Sequence, residues 1–225
     1  MIEWMTEHAL WLLLGAAGVF TAVWLWMLRP RLRMSRIAVI LFSLAHLAVG
    51  VACVKVFAAM EAGEASGISR MSLFGAVFFL PVFYFAGAKI TKRKVSDVFD
   101  VFGVAMIATL FFARINCLIA GCCKGLSIHG LEPARWPTRE AELVFYVVFL
   151  ALMAPKVFKN KTEGRLYPIY MIAYGAFRFT VEFFRESAGG RTWHIAHLWA
   201  FLAAAIGISV AGEMWAIKKR RANPQ

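Results

Sequence analysis

The run AYGAFRFTVEFFRES, residues 173–187, is largely apolar yet carries Arg178, Glu182 and Arg185. Their offsets of i, i+4 and i+7 place them on one narrow stripe of an α-helix. Charges within an apolar helix are costly and normally face a bundle interior or a watered cavity. One use is purely structural: Arg178 paired with Glu182, and Arg185 reaching outward along its methylene stem. The other is a site. A second apolar run, FFARINCLIAGCCKG at 111–125, places Arg114 just before a small turn containing Gly121, Cys122, Cys123 and Gly125. Glu182 is the only acidic group in these two stripes. A lone carboxylate cannot neutralise both Arg114 and Arg178, and Arg185 and Lys124 lie close by. The pattern asks for an anion, and guanidinium forks match phosphate bidentately. A phospholipid headgroup is the expected ligand.

Three of the four cysteines, Cys117, Cys122 and Cys123, fall in the same stretch, with Cys53 elsewhere. Three readings stay open: a disulfide that pins the turn, reactive thiols whose pKa is lowered by Arg114 and Lys124, or small apolar residues near a helix end. C-x4-C-C is not a common zinc spacing. His129, His194 and His197 are the candidate fourth ligands, and no metal or cofactor is expected. His46 is read as a hydrogen-bonded packing residue and Lys55 as a snorkelling interface lysine.

The elements that must position these residues are legible from composition. Of 225 residues, 61% are hydrophobic and 17% charged, with mean hydropathy +0.67. Apolar runs near the ~20 residues needed to cross a bilayer recur throughout. The expected fold is an all-α integral membrane protein, a single domain over 1–225 with seven spans: 8–28, 37–60, 71–90, 98–118, 139–157, 166–184 and 195–217. The net charge of +12 does not indicate nucleic acid, because the basic residues cluster at span ends. Arg29, Arg31, Arg33 and Arg36 form one cluster, and Lys89, Lys92, Arg93 and Lys94 the next. Lys156, Lys159, Lys161 and Arg165 form a third, and Lys218, Lys219, Arg220 and Arg221 the last. They follow spans one, three, five and seven. The positive-inside rule then puts the N-terminus outside and the C-terminus in the cytoplasm. Span one, followed rather than preceded by basic residues and without a small-residue cleavage site, reads as an anchor and not a removable leader. The eight tryptophans mostly fall near span ends, as aromatic belts do.

YGAFRFTVEFFRE, RINCLIAGCCKG and the seven-span plan together resemble the prolipoprotein diacylglyceryl transferases, with a weaker likeness in MSLFGA at 71–76. The resemblance implies transfer of the diacylglyceryl group of phosphatidylglycerol to the lipobox cysteine of a prolipoprotein. The transfer would take place at the outer leaflet of the bacterial inner membrane, forming a thioether and releasing glycerol phosphate. Arg114 and Arg178 would hold the phosphate and stabilise the leaving group. Glu182 would orient Arg178. Gly121 and Gly125 would let the backbone turn beside the headgroup, and Arg185 would stand at the lipid–water boundary.

The sequence departs from the family pattern at several polar positions. Phe74 stands where the family has histidine. Cys117 and Ala120 replace two asparagines, and Cys122 replaces a glutamate. His8 occupies a position that is often tyrosine, and His197 falls near an expected glutamine. The phosphate-binding framework is retained while much of the hydrogen-bonding shell is not. Two alternatives follow: a relative using the same lipid site with a different acceptor, or a non-catalytic lipid-binding membrane protein.

Overall fold

The computed structural model describes residues 2–64, 67–68, 70–129, 133–186 and 193–222. The side chains of residues 2–7 lie outside the described set. So do residues within the connections that follow α2, α4 and α6.

Each apolar run becomes a helix. The order is α1 (Ile2–Leu32), α2 (Arg36–Ala62), α3 (Phe74–Ile90), α4 (Val95–Ile119), α5 (Thr138–Phe158), α6 (Leu166–Glu182) and α7 (Ile195–Ala222). The described residues contain no strand, only two isolated bridges, Gly125 with Arg185 and Ser127 with Arg135. Five helices are long and apolar enough to cross a membrane: α1, α2, α4, α5 and α7. The expected spans three and six are shorter than read. Residues 71–73 precede α3, and α3 and α6 have 17 residues each. At 1.5 Å per residue that is about 25 Å, against a hydrocarbon core of about 30 Å. Both short helices end at the cleft described below.

The connections that carry the first three basic clusters gather at one end of the bundle. Asp100, fully buried, is the hub there. It accepts hydrogen bonds from Thr162 Oγ1 (2.5 Å), the Gly164 amide (2.8 Å) and Arg31 Nη2 (3.2 Å). Arg31 also pairs with Asp97 at 2.8 Å and donates to the Val157 carbonyl at 2.7 Å. A buried carboxylate with this many donors is compensated, and it ties α1, α4 and the α5–α6 turn together.

α4 is the central element. Its residues from Val98 to Leu110 are nearly all buried, and it packs against α1, α3, α5 and α6. α6 lies close along α7, because a Cβ on Gly175 would come within 2.6 Å of the Ala200 carbonyl and the Ala204 amide. Small residues give this intimate helix approach where lipid offers no hydrophobic drive. The expected packing role of His46 holds: it is buried, 3.0 Å from the Tyr84 hydroxyl and 3.3 Å from that of Thr109.

Candidate active site

At the end of the bundle opposite Asp100, α4, α5 and α6 bring five charged side chains into one network. Arg178 donates Nη1 to Glu142 Oε1 at 2.8 Å, and its Nη2 lies 2.8 Å from Glu182 Oε2. The other oxygen of Glu142 pairs with Arg114. Arg185 reaches Glu182 at 3.2 Å. Arg114, Glu142, Arg178 and Glu182 are 1–6% exposed. The structural pairing of Arg178 with Glu182 therefore exists, but inside a larger network.

The sequence pattern offers one carboxylate, Glu182, for Arg114 and Arg178; the structure corrects this, because Glu142 near the start of α5 bridges both. The signal was present: a carboxylate opening an apolar run that the span alternation places at the same end as Arg114 and Arg178. Three arginines against Glu142 and Glu182 still leave the network with one net positive charge. The Nε–H groups of both Arg114 and Arg178 are buried without a hydrogen-bond partner in the protein. Such orphaned donors are costly unless a ligand or water meets them.

These arginines border a cleft of about 250 Å³ lined by Arg114, Arg178, Arg185, Glu61, Phe74 and Tyr174, among others. Phe74 lies beneath Arg178, with the guanidinium carbon 5.4 Å from the ring centroid. The residue standing where the family pattern has histidine thus supports the arginine with its aromatic face. Glu61, at the end of α2, was not singled out from the sequence. It shares the cleft but is outside the arginine ion pairs. Lys55 is not on the cleft; it donates to the Ile68 carbonyl at 3.2 Å.

The two glycines of the turn have separate reasons. Gly121 takes a left-handed φ of 66° just after α4, a conformation that costs a side-chain-bearing residue about 1–2 kcal/mol. Gly125 is required by contact, because a Cβ there would enter the Trp136 carbonyl. Its neighbours clip the 121–137 loop onto the end of α6: the Leu126 amide donates to the Phe184 carbonyl (2.8 Å) and the Glu186 amide to the Lys124 carbonyl (2.9 Å). Gly125 therefore fixes the loop that closes the cleft and does not itself line it.

The three cysteines converge. The sulfurs of Cys117, Cys122 and Cys123 all lie within 4.8 Å of one another, as free thiols and not a disulfide. Cys117 and Cys123 line the cleft. Cys123 has a left-handed φ of 56°, which folds it back over the end of α4. A hydrogen bond from Cys117, with Arg185 and Arg114 nearby, holds the Cys123 thiol well below the ordinary thiol range despite burial. Among the described residues none of the three candidate histidines joins this group. His197 is instead buried among Phe179, Phe183 and Trp193.

The sequence model of the family described as prolipoprotein diacylglyceryl transferase matches residues 9–212. The chain belongs to that family. The phosphatidylglycerol–prolipoprotein diacylglyceryl transferase of Campylobacter lari is 32% identical over 134 residues, covering 55% of this chain and 48% of the relative. That of Campylobacter curvus is 30% identical over 148 residues, 60% of this chain and 53% of the relative. Transferase 2 of Clostridium perfringens is 30% identical over 112 residues, 44% of each. The chain spans about half the length of the curated relatives it matches. With five apolar helices of spanning length, it is a multi-pass membrane member of the prolipoprotein diacylglyceryl transferase family.

Proposed function

We propose that the chain is a phosphatidylglycerol-dependent diacylglyceryl transferase acting at the outer leaflet of the bacterial inner membrane, on the lipobox cysteine of a prolipoprotein. The observation that carries this is the meeting of Arg114, Arg178 and Arg185 on one cleft, with unspent Nε–H donors on the first two. In this reading the chain crosses the membrane with its N-terminus outside and its basic connections in the cytoplasm, so that the cleft opens to the outer leaflet. α3 and α6 complete the seven spans, their shortness leaving room for the outer loops.

The step is a displacement. The acceptor sulfur attacks the glyceryl carbon that carries the phosphate, a C–S bond forms, and the C–O bond to phosphate breaks. Glycerol phosphate leaves with the bond electrons. Arg114 and Arg178 hold the phosphate, and Arg185 meets it at the mouth. Positive groups already fixed in place stabilise the growing charge without reorganising. Glu142 and Glu182 keep both forks aimed. The acceptor's proton needs a destination, and Phe74 cannot take it. Glu61 is the cleft carboxylate outside the arginine pairs and serves as the base. Gly121 and Gly125 act through the loop they shape, while Cys117, Cys122 and Cys123 are not required for the transfer itself.

The test is transfer from labelled phosphatidylglycerol to a lipobox peptide by the purified protein, beside Arg178→Ala and Glu61→Gln. Transfer lost in the first variant and strongly slowed in the second is expected. A second reading, the same donor site serving another acceptor, is favoured by Phe74, Cys117 and Cys122 replacing polar residues of the family pattern. It would show as Arg178-dependent lipid binding without transfer to the peptide. If no acceptor restored turnover, the same result would leave a non-catalytic lipid binder.

A further inference from the structure

We propose that Cys117, Cys122 and Cys123 form a binding site for one soft, thiophilic metal ion of the monovalent-copper class, held by three thiolates. The site lies on the wall of the arginine cleft, and the transfer reaction does not require it.

The geometry comes first. Three sulfurs arranged trigonally around a metal at about 2.3 Å stand about 4 Å apart. These three lie within 4.8 Å of one another, so closing on an ion needs side-chain shifts of less than about 1 Å. The backbone is already committed to the convergence. Gly121 and Cys123 both take left-handed conformations, turning the chain back so that Cys122 and Cys123 return over the last turn of α4, where Cys117 sits. The Cys122 thiol lies 3.7 Å from the Cys117 carbonyl. A non-glycine residue held at positive φ is a strained choice that often marks a functional position.

Chemistry selects the ion class. Thiolate sulfur is soft and favours monovalent copper, zinc and iron–sulfur clusters. Zinc in structural sites takes four ligands, and among the described residues no histidine or carboxylate joins the three sulfurs. Three-coordinate monovalent copper needs no fourth. Charge favours the same ion. Three thiolates around a singly charged cation carry two net negative charges, and Arg114 and Arg185 both act on Cys123. Their positive charge lowers the cost of that excess, although each is also paired with a glutamate. Binding releases the thiol protons and requires no oxidant or reductant.

The experiment uses the full chain purified in detergent under a non-thiol reductant. Cuprous ion is titrated in competition with a chromophoric chelator, with near-ultraviolet sulfur-to-copper charge transfer as a second readout. One equivalent withdrawn per chain is expected. Even outer-shell partners of a metal cost about 10- to 100-fold in affinity, so each of Cys117→Ser, Cys122→Ser and Cys123→Ser should weaken binding at least ~100-fold. Cys53→Ser, in α2, should leave it unchanged. The proposal is overturned if the chain withdraws no copper or if binding survives the three substitutions. It is equally overturned if protein isolated without reductant holds two of the three sulfurs as a disulfide that reductant must break before any copper binds. Lipid transfer is measured on the same preparations, so failure of the metal site and failure of the transferase reading are separately visible.

Discussion

Arg178 of α6 and Glu142 of α5 face each other at 2.8 Å with both side chains almost wholly buried, and the second oxygen of Glu142 pairs with Arg114 of α4. One carboxylate therefore sets the spacing of two guanidinium groups on different helices. Removing it leaves Arg114 without its acidic partner and Arg178 with Glu182 alone. Breaking a buried pair from one side costs about 3–5 kcal/mol, so Glu142→Ala should destabilise the protein in detergent by that order and abolish transfer. The double variant Arg114→Ala/Glu142→Ala should lose less stability than the sum of the single variants, since the partners are coupled. Additive losses in thermal melts would show that Glu142 does not bridge the arginines.

Arg178 and Arg185 should respond differently to the same conservative change. Arg178 directs one fork at two carboxylates and stands over Phe74, a geometry that a lysine ammonium cannot reproduce. Arg178→Lys should lower kcat about 100-fold or more, the size of loss seen when one oxyanion donor is removed. Arg185, nearer the mouth, offers Glu182 one nitrogen, Nη1, at 3.2 and 3.5 Å from its two oxygens. Its lysine variant should mainly raise KM for the lipid. Equal effects at the two positions would remove the distinction between inner and outer arginine.

Much of this was legible because charge inside an apolar run is rare. Arg114, Arg178, Glu182 and Arg185 stand out on that ground, and the α-helical period places Arg178 and Glu182 on one stripe, while Arg185, expected on the same stripe, lies past the end of α6 in a bridge with Gly125. Glu142 is hidden by its setting near the start of a helix, just after Arg139 and Glu140, where charged residues are ordinary. Only its burial reveals that it turns inward. Helix ends were also less legible than helix identity. Met71, Ser72 and Leu73 are apolar enough to extend a span, yet the Ser72 amide donates to the Val54 carbonyl at 3.0 Å and the helix begins at Phe74. That the three cysteines meet depends on two left-handed residues in one turn. A glycine signals one of them, and nothing in the type of Cys123 signals the other.

Phe74 offers a direct test of what replaced the family's histidine. A cation over an aromatic face contributes up to about 2 kcal/mol when desolvated, and the Arg178 guanidinium carbon is 5.4 Å from the Phe74 centroid. Phe74→Leu keeps the apolar volume and removes the ring. It should weaken binding of phosphatidylglycerol about tenfold, in line with the upper part of that range, with kcat reduced less. A loss confined to kcat would mean that the ring acts on the chemical step and not on holding Arg178.

Gly125 tests the loop. A Cβ there enters the Trp136 carbonyl, so Gly125→Ala must push the 121–137 segment off the end of α6. The hydrogen bonds around Leu126 and Glu186 should loosen, exposing their amides to hydrogen exchange and cutting transfer at least tenfold through the displaced loop. Glu186→Gln is the control. It breaks only the exposed pair with Arg135 at 2.7 Å, and exposed pairs contribute about 0–1 kcal/mol. If Gly125→Ala left exchange unchanged, the loop would not depend on that contact.

The thiol of Cys123 gives a prediction in pH. Its pKa is held down by the Cys117 hydrogen bond and by Arg185 and Arg114, so the thiolate is the major form well below neutrality. An ordinary thiol, with pKa about 8.5, is only a trace thiolate at pH 6, and its alkylation rate rises nearly a hundredfold by pH 8. For a lowered pKa the sign is opposite to that of a thiol raised by burial: reactivity is already present at pH 6 and changes little on going up. Iodoacetamide labelling of the reduced protein, followed by fragment mass spectrometry at Cys123, should therefore give rates at pH 6 and pH 8 within about threefold of each other. Arg114→Ala and Arg185→Ala should each restore part of the ordinary slope. A full hundredfold rise in the unmodified protein would show that the arginines and Cys117 do not hold the thiolate, and that Cys123 is a packing residue in a crowded turn.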